Sequence, residues 1–129
     1  MSIGQQELSG YPNAVVGGIL PRHSRVTYDD DGKAVLAGDD ERGVGTVAEK
    51  DVAPGLEPVA IRPITDPGVH KMIADGPIPA GAKIVPAING RVAAAASGDT
   101  NIIGVRACSA ESYSVVQPGD YVGVFPVFE

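Results

Sequence analysis

The stretch Pro79–Ala107, PAGAKIVPAINGRVAAAASGDTNIIGVRA, holds the pattern that decides the fold. Two apolar runs, Lys83–Ile88 and Arg91–Ala96, flank the pair Asn89-Gly90, and a third run, Ile102–Val105, follows a polar loop. Asn-Gly between two apolar runs favours a type I′ hairpin turn, because both central residues of that turn need φ > 0. The stretch therefore predicts a hairpin followed by one further strand.

A second stretch, Leu20–Ala48, LPRHSRVTYDDDGKAVLAGDDERGVGTVA, repeats the same order of turns and apolar runs. The matching segments lie 58 to 63 positions apart. A preserved order at a nearly fixed spacing is typical of repeat architectures, so we predict an internal duplication with repeats over 19–64 and 77–127. The pairs that carry the match are Gly32-Lys33 with Gly90-Arg91, Val44-Gly45 with Ile103-Gly104, and Val59–Pro63 with Val122–Pro126.

The composition predicts an all-β fold. The chain has 129 residues with 17 Gly and 11 Pro, which leaves little room for long helix interiors. Aromatic residues make up 5% and Trp is absent, so Val, Ile, Ala and Leu must fill the core. We expect a single β domain over 19–129, a small β-barrel or β-sandwich built from two similar hairpin-plus-strand repeats.

Charge and the length of the apolar runs argue against two classes of partner, nucleic acids and membranes. The net charge is −6, from 10 basic and 16 acidic residues, and no basic run offers the clustered cations that phosphate contacts need. We therefore expect no nucleic-acid partner. No apolar run reaches 18 residues, so we expect no membrane partner either. The N-terminus lacks a secretory pattern and Cys108 is the one cysteine, which suits synthesis in the cytoplasm of a producing cell.

The residues that could do chemistry do not form a recognisable constellation. Cys108, Ser112, His23 and His70 show neither a nucleophile motif nor metal-ligand spacing, so we predict no enzyme activity, no catalytic or metal residues, and no cofactor. The acidic loop Asp29–Gly32 departs from the spacing of an EF-hand calcium loop. Solvated turns are the favoured interpretation of this loop and of its acidic neighbour, and calcium binding is left as the alternative.

Residues 1–18 show neither helical nor strand periodicity. One interpretation is a frayed chain end. The other is an extended arm that becomes ordered on a partner, with its scattered apolar side chains as anchors. The candidate partner-binding residues of this arm are Ile3, Leu8, Tyr11, Pro12, Val15 and Val16.

The repeat resembles the small bacteriophage head decoration, or capsid cement, proteins. The resemblance spans about residues 19 to 127 and rests on Pro79–Gly81, Ile84–Ile88, Gly90-Arg91, Ile103–Val105 and Pro118–Asp120. It implies a β-rich, non-enzymatic, oligomeric protein that binds the outer face of a capsid and stabilises it. It also implies that the N-terminal arm contacts the major capsid protein.

This chain departs from the family pattern by carrying two repeats in place of one. We expect a homotrimer, which would present six similar lobes, with a dimer as the alternative. An acidic exterior suits the outer surface of a virion better than its DNA-filled interior. The competing hypothesis from a different class is a small β-barrel that binds a ligand or serves as an accessory module of a larger complex.

Overall fold

A computed structural model describes residues 13–48, 51–54, 58–108 and 114–127. Their regular structure consists of β-strands and one short 3-10 turn, Ile88–Gly90, so the predicted all-β class is confirmed. No helix in these segments is long and apolar enough to cross a membrane. The strands are β1 (Asn13–Ala14), β2 (Arg25–Tyr28), β3 (Ala34–Leu36), β4 (Gly45–Val47), β5 (Val59–Pro63), β6 (His70–Ile73), β7 (Lys83–Pro86), β8 (Val92–Ala94), β9 (Gly104–Arg106) and β10 (Tyr121–Pro126).

The strands form two five-stranded antiparallel sheets, in the orders β1-β5-β4-β2-β3 and β6-β10-β9-β7-β8. In the first sheet Val16, just after β1, pairs in parallel with Ala34 of β3 at the opposite edge. In the second sheet Ala74 makes the same parallel pair with Val92 of β8. These pairs bring the two edges of each sheet together, so each sheet closes into a small barrel. We call β1–β5 the first barrel and β6–β10 the second barrel.

The pairing register is the same in the two barrels. Val26 faces Leu36 in the first hairpin, and Ile84 faces Ala94 in the second, with both residues displaced by 58 positions. The same displacement relates β1 to β6, since Ala14 faces Val59 and Met72 faces Val122. From β1 to β3, a residue and the one 58 positions later therefore occupy equivalent places.

Each barrel has its own apolar core. Leu20 and Ile78 lie at equivalent positions, and both are fully buried. Each pairs with a valine through an isolated bridge, Leu20 with Val52 and Ile78 with Val116. Burying one such side chain stabilises the fold by about 1.5–3 kcal/mol. The first core contains Ala14, Val16, Leu20, Val26, Ala34, Val47, Val52, Val59 and Ile61. The second contains Ile64, Met72, Ala74, Ile78, Ile84, Val92, Ile103, Val122 and Val124.

The structure starts the first barrel earlier than the sequence pattern predicted. Strand β1 begins at Asn13, and the side chains of Ala14 and Val16 belong to the first core, whereas the predicted β domain and its first repeat began at residue 19. The second barrel likewise begins at β6, upstream of residue 77. A two-residue strand followed by Gly17-Gly18 is too short to show alternation, so neither periodicity nor turn residues could reveal it.

Two N-terminal truncations separate the chain end from the barrel. Deleting residues 1–12 removes no described strand, so the urea-unfolding free energy should stay within about 0.5 kcal/mol of the full-length value. Deleting residues 1–18 removes β1 and the buried Val16, and should cost about 2 kcal/mol or more. Equal stability of the two truncated chains would show that β1 does not contribute to the first barrel.

Candidate functional site: the junction between the two barrels

The hairpin turn of the second barrel contacts the first barrel. We call residues 87–91 the second tip, and the equivalent residues 29–33 of the first barrel the first tip. Asn89 and Gly90 have φ of 57° and 70°, the positive values that the sequence predicted for this turn. The amide of Gly90 donates a hydrogen bond to the carbonyl oxygen of Ala37 at 2.9 Å. The second tip is thereby joined to the first barrel through its backbone.

Arg25 is the central residue of this junction, and its side chain is fully buried. Its Nη2 donates to the carbonyl of Ala87 at 2.7 Å, and its Nε donates to the carbonyl of Arg91 at 3.0 Å. On the first barrel, Nη2 also donates to the carbonyl of Gly38 at 3.2 Å, and Nη1 donates to the carbonyl of Glu41. One guanidinium therefore links the second tip to the loop after β3. We call Arg25 and residues 36–43 the first socket.

Burial changes the electrostatics of Arg25 without neutralising it. Desolvation lowers the pKa of Arg25 to about 10, and the nearby Glu41 carboxylate partly offsets this effect. The guanidinium is therefore still charged at pH 7. A buried charge is tolerated when its donors are satisfied, and the backbone carbonyls around Arg25 supply the acceptors.

A second set of contacts joins the barrels beside β6. The imidazole of His23 meets the ring of Tyr121 edge-on, with ring centroids 4.7 Å apart. Arg62 of β5 donates to the carbonyls of Val69 at 2.7 Å and Pro67 at 3.0 Å, and forms an ion pair with Asp66 at 2.7 Å. Arg62 therefore holds the connection between β5 and β6 in place.

A groove of about 310 Å³ lies beside these contacts, lined in part by Arg22, Arg62 and Lys71. Desolvation lowers the pKa of His23 at this groove, and the positive charges of Arg22 and Lys71 lower it further. A local concentration of cations is notable in a chain of net charge −6. The groove could accept an anionic group.

The residues that were candidates for catalysis or metal binding lie in separate environments. His70 is fully buried, its Nε2 lies 2.7 Å from the carbonyl oxygen of Asp66, and its Nδ1 has no hydrogen-bond partner among the described residues. Desolvation is the largest effect on His70 and lowers its pKa, so the ring is neutral at pH 7. Cys108 is exposed after β9, and Ser112 lies outside the described residues.

The carboxylates of the acidic loops bond to the amides of their own turns. Asp29 Oδ1 accepts hydrogen bonds from the amides of Asp31 and Lys33, each at 2.9 Å. Glu41 Oε1 accepts from the amide of Gly38 at 2.9 Å. In the described part of the chain, no group of three or more His, Cys, Asp or Glu side chains is placed to hold a metal ion.

The predicted partner-binding residues of the N-terminal arm fall into two groups. Ile3, Leu8, Tyr11 and Pro12 lie outside the described residues, and their role stays a prediction. Of the two described residues, Val15 is 58% exposed and remains available to a partner. Val16 is 6% exposed and packs in the first core, so its contacts are made within its own barrel.

Sequence reasoning missed Arg25 because its context resembles that of an exposed residue. Arg25 opens an apolar strand, as does Lys83 at the equivalent position of the second barrel, yet Arg25 is buried and Lys83 is exposed. The contacts of Arg25 with the second tip join residues more than 60 positions apart. A local pattern carries no information about a pairing over that distance.

Replacing Arg25 with methionine preserves much of the side-chain volume but removes every donor. The carbonyl of Ala87 would then lose its guanidinium partner, at about 1–3 kcal/mol for a buried carbonyl left unpaired. The carbonyls of Arg91 and Gly38 would each lose one of the hydrogen bonds that they accept. We expect Arg25→Met to lower the urea-unfolding free energy by about 3 kcal/mol or more. Arg22→Met, at an exposed position, is the matched control and should change it by about 0.5 kcal/mol or less. Equal effects of the two substitutions would contradict the assigned role of Arg25.

Gly90 and Gly32 occupy equivalent places in the two tips and allow a second matched comparison. Both have left-handed φ, 70° and 78°, so an alanine at either position costs about 1–2 kcal/mol of backbone strain. A Cβ at Gly90 would also lie 2.7 Å from the carbonyl oxygen of Arg25, whereas a Cβ at Gly32 would meet nothing within 4 Å. We expect Gly90→Ala to cost about 1–3 kcal/mol more than Gly32→Ala in urea unfolding, because of the overlap at the junction. The absence of such a difference would mean that the second tip does not press against Arg25.

Comparison with known proteins supports the fold. No protein-family model matches the chain, and no curated protein matches it in sequence. Among solved structures, the chain is similar to the head fiber gp8.5 N base of bacteriophage phi29, with a TM-score of 0.69 and 18% sequence identity. The match covers 89% of this chain and 91% of the phi29 chain. The fold of the two chains is thus shared over nearly their whole length.

Proposed function

We propose that this protein is a structural component of a bacteriophage virion. The observation that carries the proposal is the shared fold with the N base of the phi29 head fiber, which extends over about nine tenths of both chains. The repeat also resembles that of the phage head decoration proteins, through Pro79–Gly81, Gly90-Arg91 and Ile103–Val105. The role is structural rather than enzymatic.

Within that role, the protein acts as a decoration protein that binds the outer capsid surface and stabilises the shell. Its partner is the major capsid protein, contacted through the N-terminal arm by Ile3, Leu8, Tyr11 and Pro12, with the exposed Val15 at the end of the arm. A net charge of −6 supports a position outside the shell, away from packaged DNA.

The two barrels derive from an internal duplication, and the protein assembles as a homotrimer, with a dimer as the alternative. The identical strand orders and the matching registers of the two sheets support the duplication. Three copies would present six similar barrels, which suits attachment at a threefold or local sixfold position of an icosahedral shell.

A small ligand-binding or accessory module is the second candidate function. It is favoured by the groove of about 310 Å³ beside Arg22 and Lys71, where cations converge next to His23. Arg62 at the same groove already bonds to Asp66, Pro67 and Val69, so fewer free donors face the groove than its lining suggests. This feature makes ligand binding the weaker candidate.

Binding to phage heads tests the proposal directly. Purified protein mixed with expanded, undecorated heads should co-sediment at a fixed number of copies per head. Deleting residues 1–12 should weaken that binding at least tenfold while the melting temperature is unchanged, because the arm anchors are lost and the barrels are not. Failure of the full-length chain to co-sediment would defeat the decoration role, and full binding by the truncated chain would defeat the role of the arm.

A further inference from the structure

The junction joins the barrels head to tail, since each barrel uses a different surface. The first barrel contributes its socket, and the second barrel contributes its tip. The tip of the first barrel and the corresponding socket of the second barrel are therefore not used in this contact. We call Lys83 and residues 94–102 the second socket.

The second socket has the same backbone arrangement as the first. The amide of Ala95 donates to the carbonyl of Lys83 at 2.8 Å, as the amide of Ala37 does to the carbonyl of Arg25 at 3.0 Å. The loop of the second socket is also closed in the same way. The amide of Ala96 donates to the Asp99 carboxylate at 2.7 Å, which matches the bond between Gly38 and Glu41 in the first socket.

This second socket is an open groove of about 390 Å³. Its lining includes Lys83, Ala94, Ala96 and Ile102. The small alanine side chains leave space in the second socket, at the place that the second tip occupies in the first socket. The groove is therefore concave before any partner is present.

Two pairs of equivalent residues differ in burial between the barrels. Ile73 on β6 is 7% exposed, whereas Val15, 58 positions earlier, is 58% exposed. Pro86 beside the second tip is buried, whereas the equivalent Tyr28 beside the first tip is 44% exposed. The surfaces covered on the second barrel are thus uncovered on the first, although they occupy the same places in the fold.

Charge and apolar surface are complementary between these two uncovered regions. The first tip carries Asp29, Asp30 and Asp31, all exposed. The second socket carries the exposed Lys83, together with Asp99, whose carboxylate accepts a hydrogen bond from the amide of Ala96. Phe125 on the second barrel is 50% exposed and takes the place that Arg62 holds on the first. Phe125 lies in the same cross-strand row as Lys83, because each of the two residues pairs with Val105.

We propose that the first tip of one copy docks into the second socket of another copy, at the places equivalent to those that join the barrels within a chain, with Lys83 and the tip carboxylates in place of the hydrogen bonds of Arg25. Such a head-to-tail contact closes into a ring when its rotation permits and otherwise propagates. This inference rests on the self-association in the proposed function and is independent of capsid attachment.

The unmodified chain provides the first test. A carbodiimide joins a lysine to a carboxylate with loss of water only where the two are in contact, so it should link Lys83 of one copy to Asp30 or Asp31 of another. Mass in solution should rise with concentration to a closed oligomer, and mass spectrometry should identify that peptide pair. A monomer throughout the micromolar range, or an oligomer crosslinked only elsewhere, would overturn the proposal. Heads that still bind such a chain would show that the capsid role survives.

Charge reversal provides the second test. Self-association should weaken at least tenfold in Lys83→Glu, and also in the double variant Asp30→Lys with Asp31→Lys. Mixing the two variant chains should restore association, because the acidic socket of the first variant can bind the basic tip of the second. Asp120→Lys, an exposed substitution in the turn before β10, is the control and should leave association unchanged. The melting temperature of every variant, measured below the association range, should match the parent. No weakening, or no recovery on mixing, would overturn the tip-to-socket contact.

Discussion

The buried guanidinium of Arg25 is the central contact in the placement of the two barrels. Transfer of the Arg25 charge out of water costs several kcal/mol, and the contacts that offset this cost come from both barrels: the carbonyls of Gly38 and Glu41 on one side, and those of Ala87 and Arg91 on the other. Separation of the barrels would leave the guanidinium and the carbonyls of the second tip without these partners. The hydrogen bonds of Arg25 therefore favour this arrangement of the barrels, because it brings carbonyls of both barrels to one guanidinium.

Arginine is suited to this place and lysine to the equivalent one. The planar guanidinium has five N–H donors in a fixed fork and can reach carbonyls on two separate segments, whereas an ammonium is a compact, strongly hydrated charge. Arg25 is accordingly buried at the junction and Lys83 is exposed on the second barrel. A similar distinction separates the two tips. The second tip has Ile88-Asn89-Gly90, which frees an amide to bond with Ala37, and the first tip has three aspartates whose turn is closed by its own carboxylate.

Local patterns in the sequence predicted the parts of the fold that local interactions determine. The positive φ of Asn89 and Gly90, the strands on either side, and the all-β class follow from turn chemistry and apolar runs. Strand β1 could not be predicted, because two residues show no alternation and its position depends on pairing with β5, more than 40 residues away. The junction was hidden for the same reason. Whether a basic residue at the start of a strand is buried depends on which other segment packs over it. Arg25 and Lys83 have similar local sequences, and they differ because the second tip packs over Arg25.

Size gives the junction a further role. Each barrel is built from roughly half of the chain, which is close to the length at which a single hydrophobic core becomes marginal for folding unaided, at about 60 residues. With aromatic residues at 5% of the chain, neither core can make up for this with large side chains, so the contacts between the barrels are part of what keeps them folded. Two barrels joined back to back by a twofold axis would cover equivalent surfaces on both. A head-to-tail pair cannot do so, because it always leaves one tip and one socket uncovered. The first tip, with the exposed Tyr28 beside it, and the second socket, with the exposed Lys83, are the surfaces that this head-to-tail arrangement leaves uncovered.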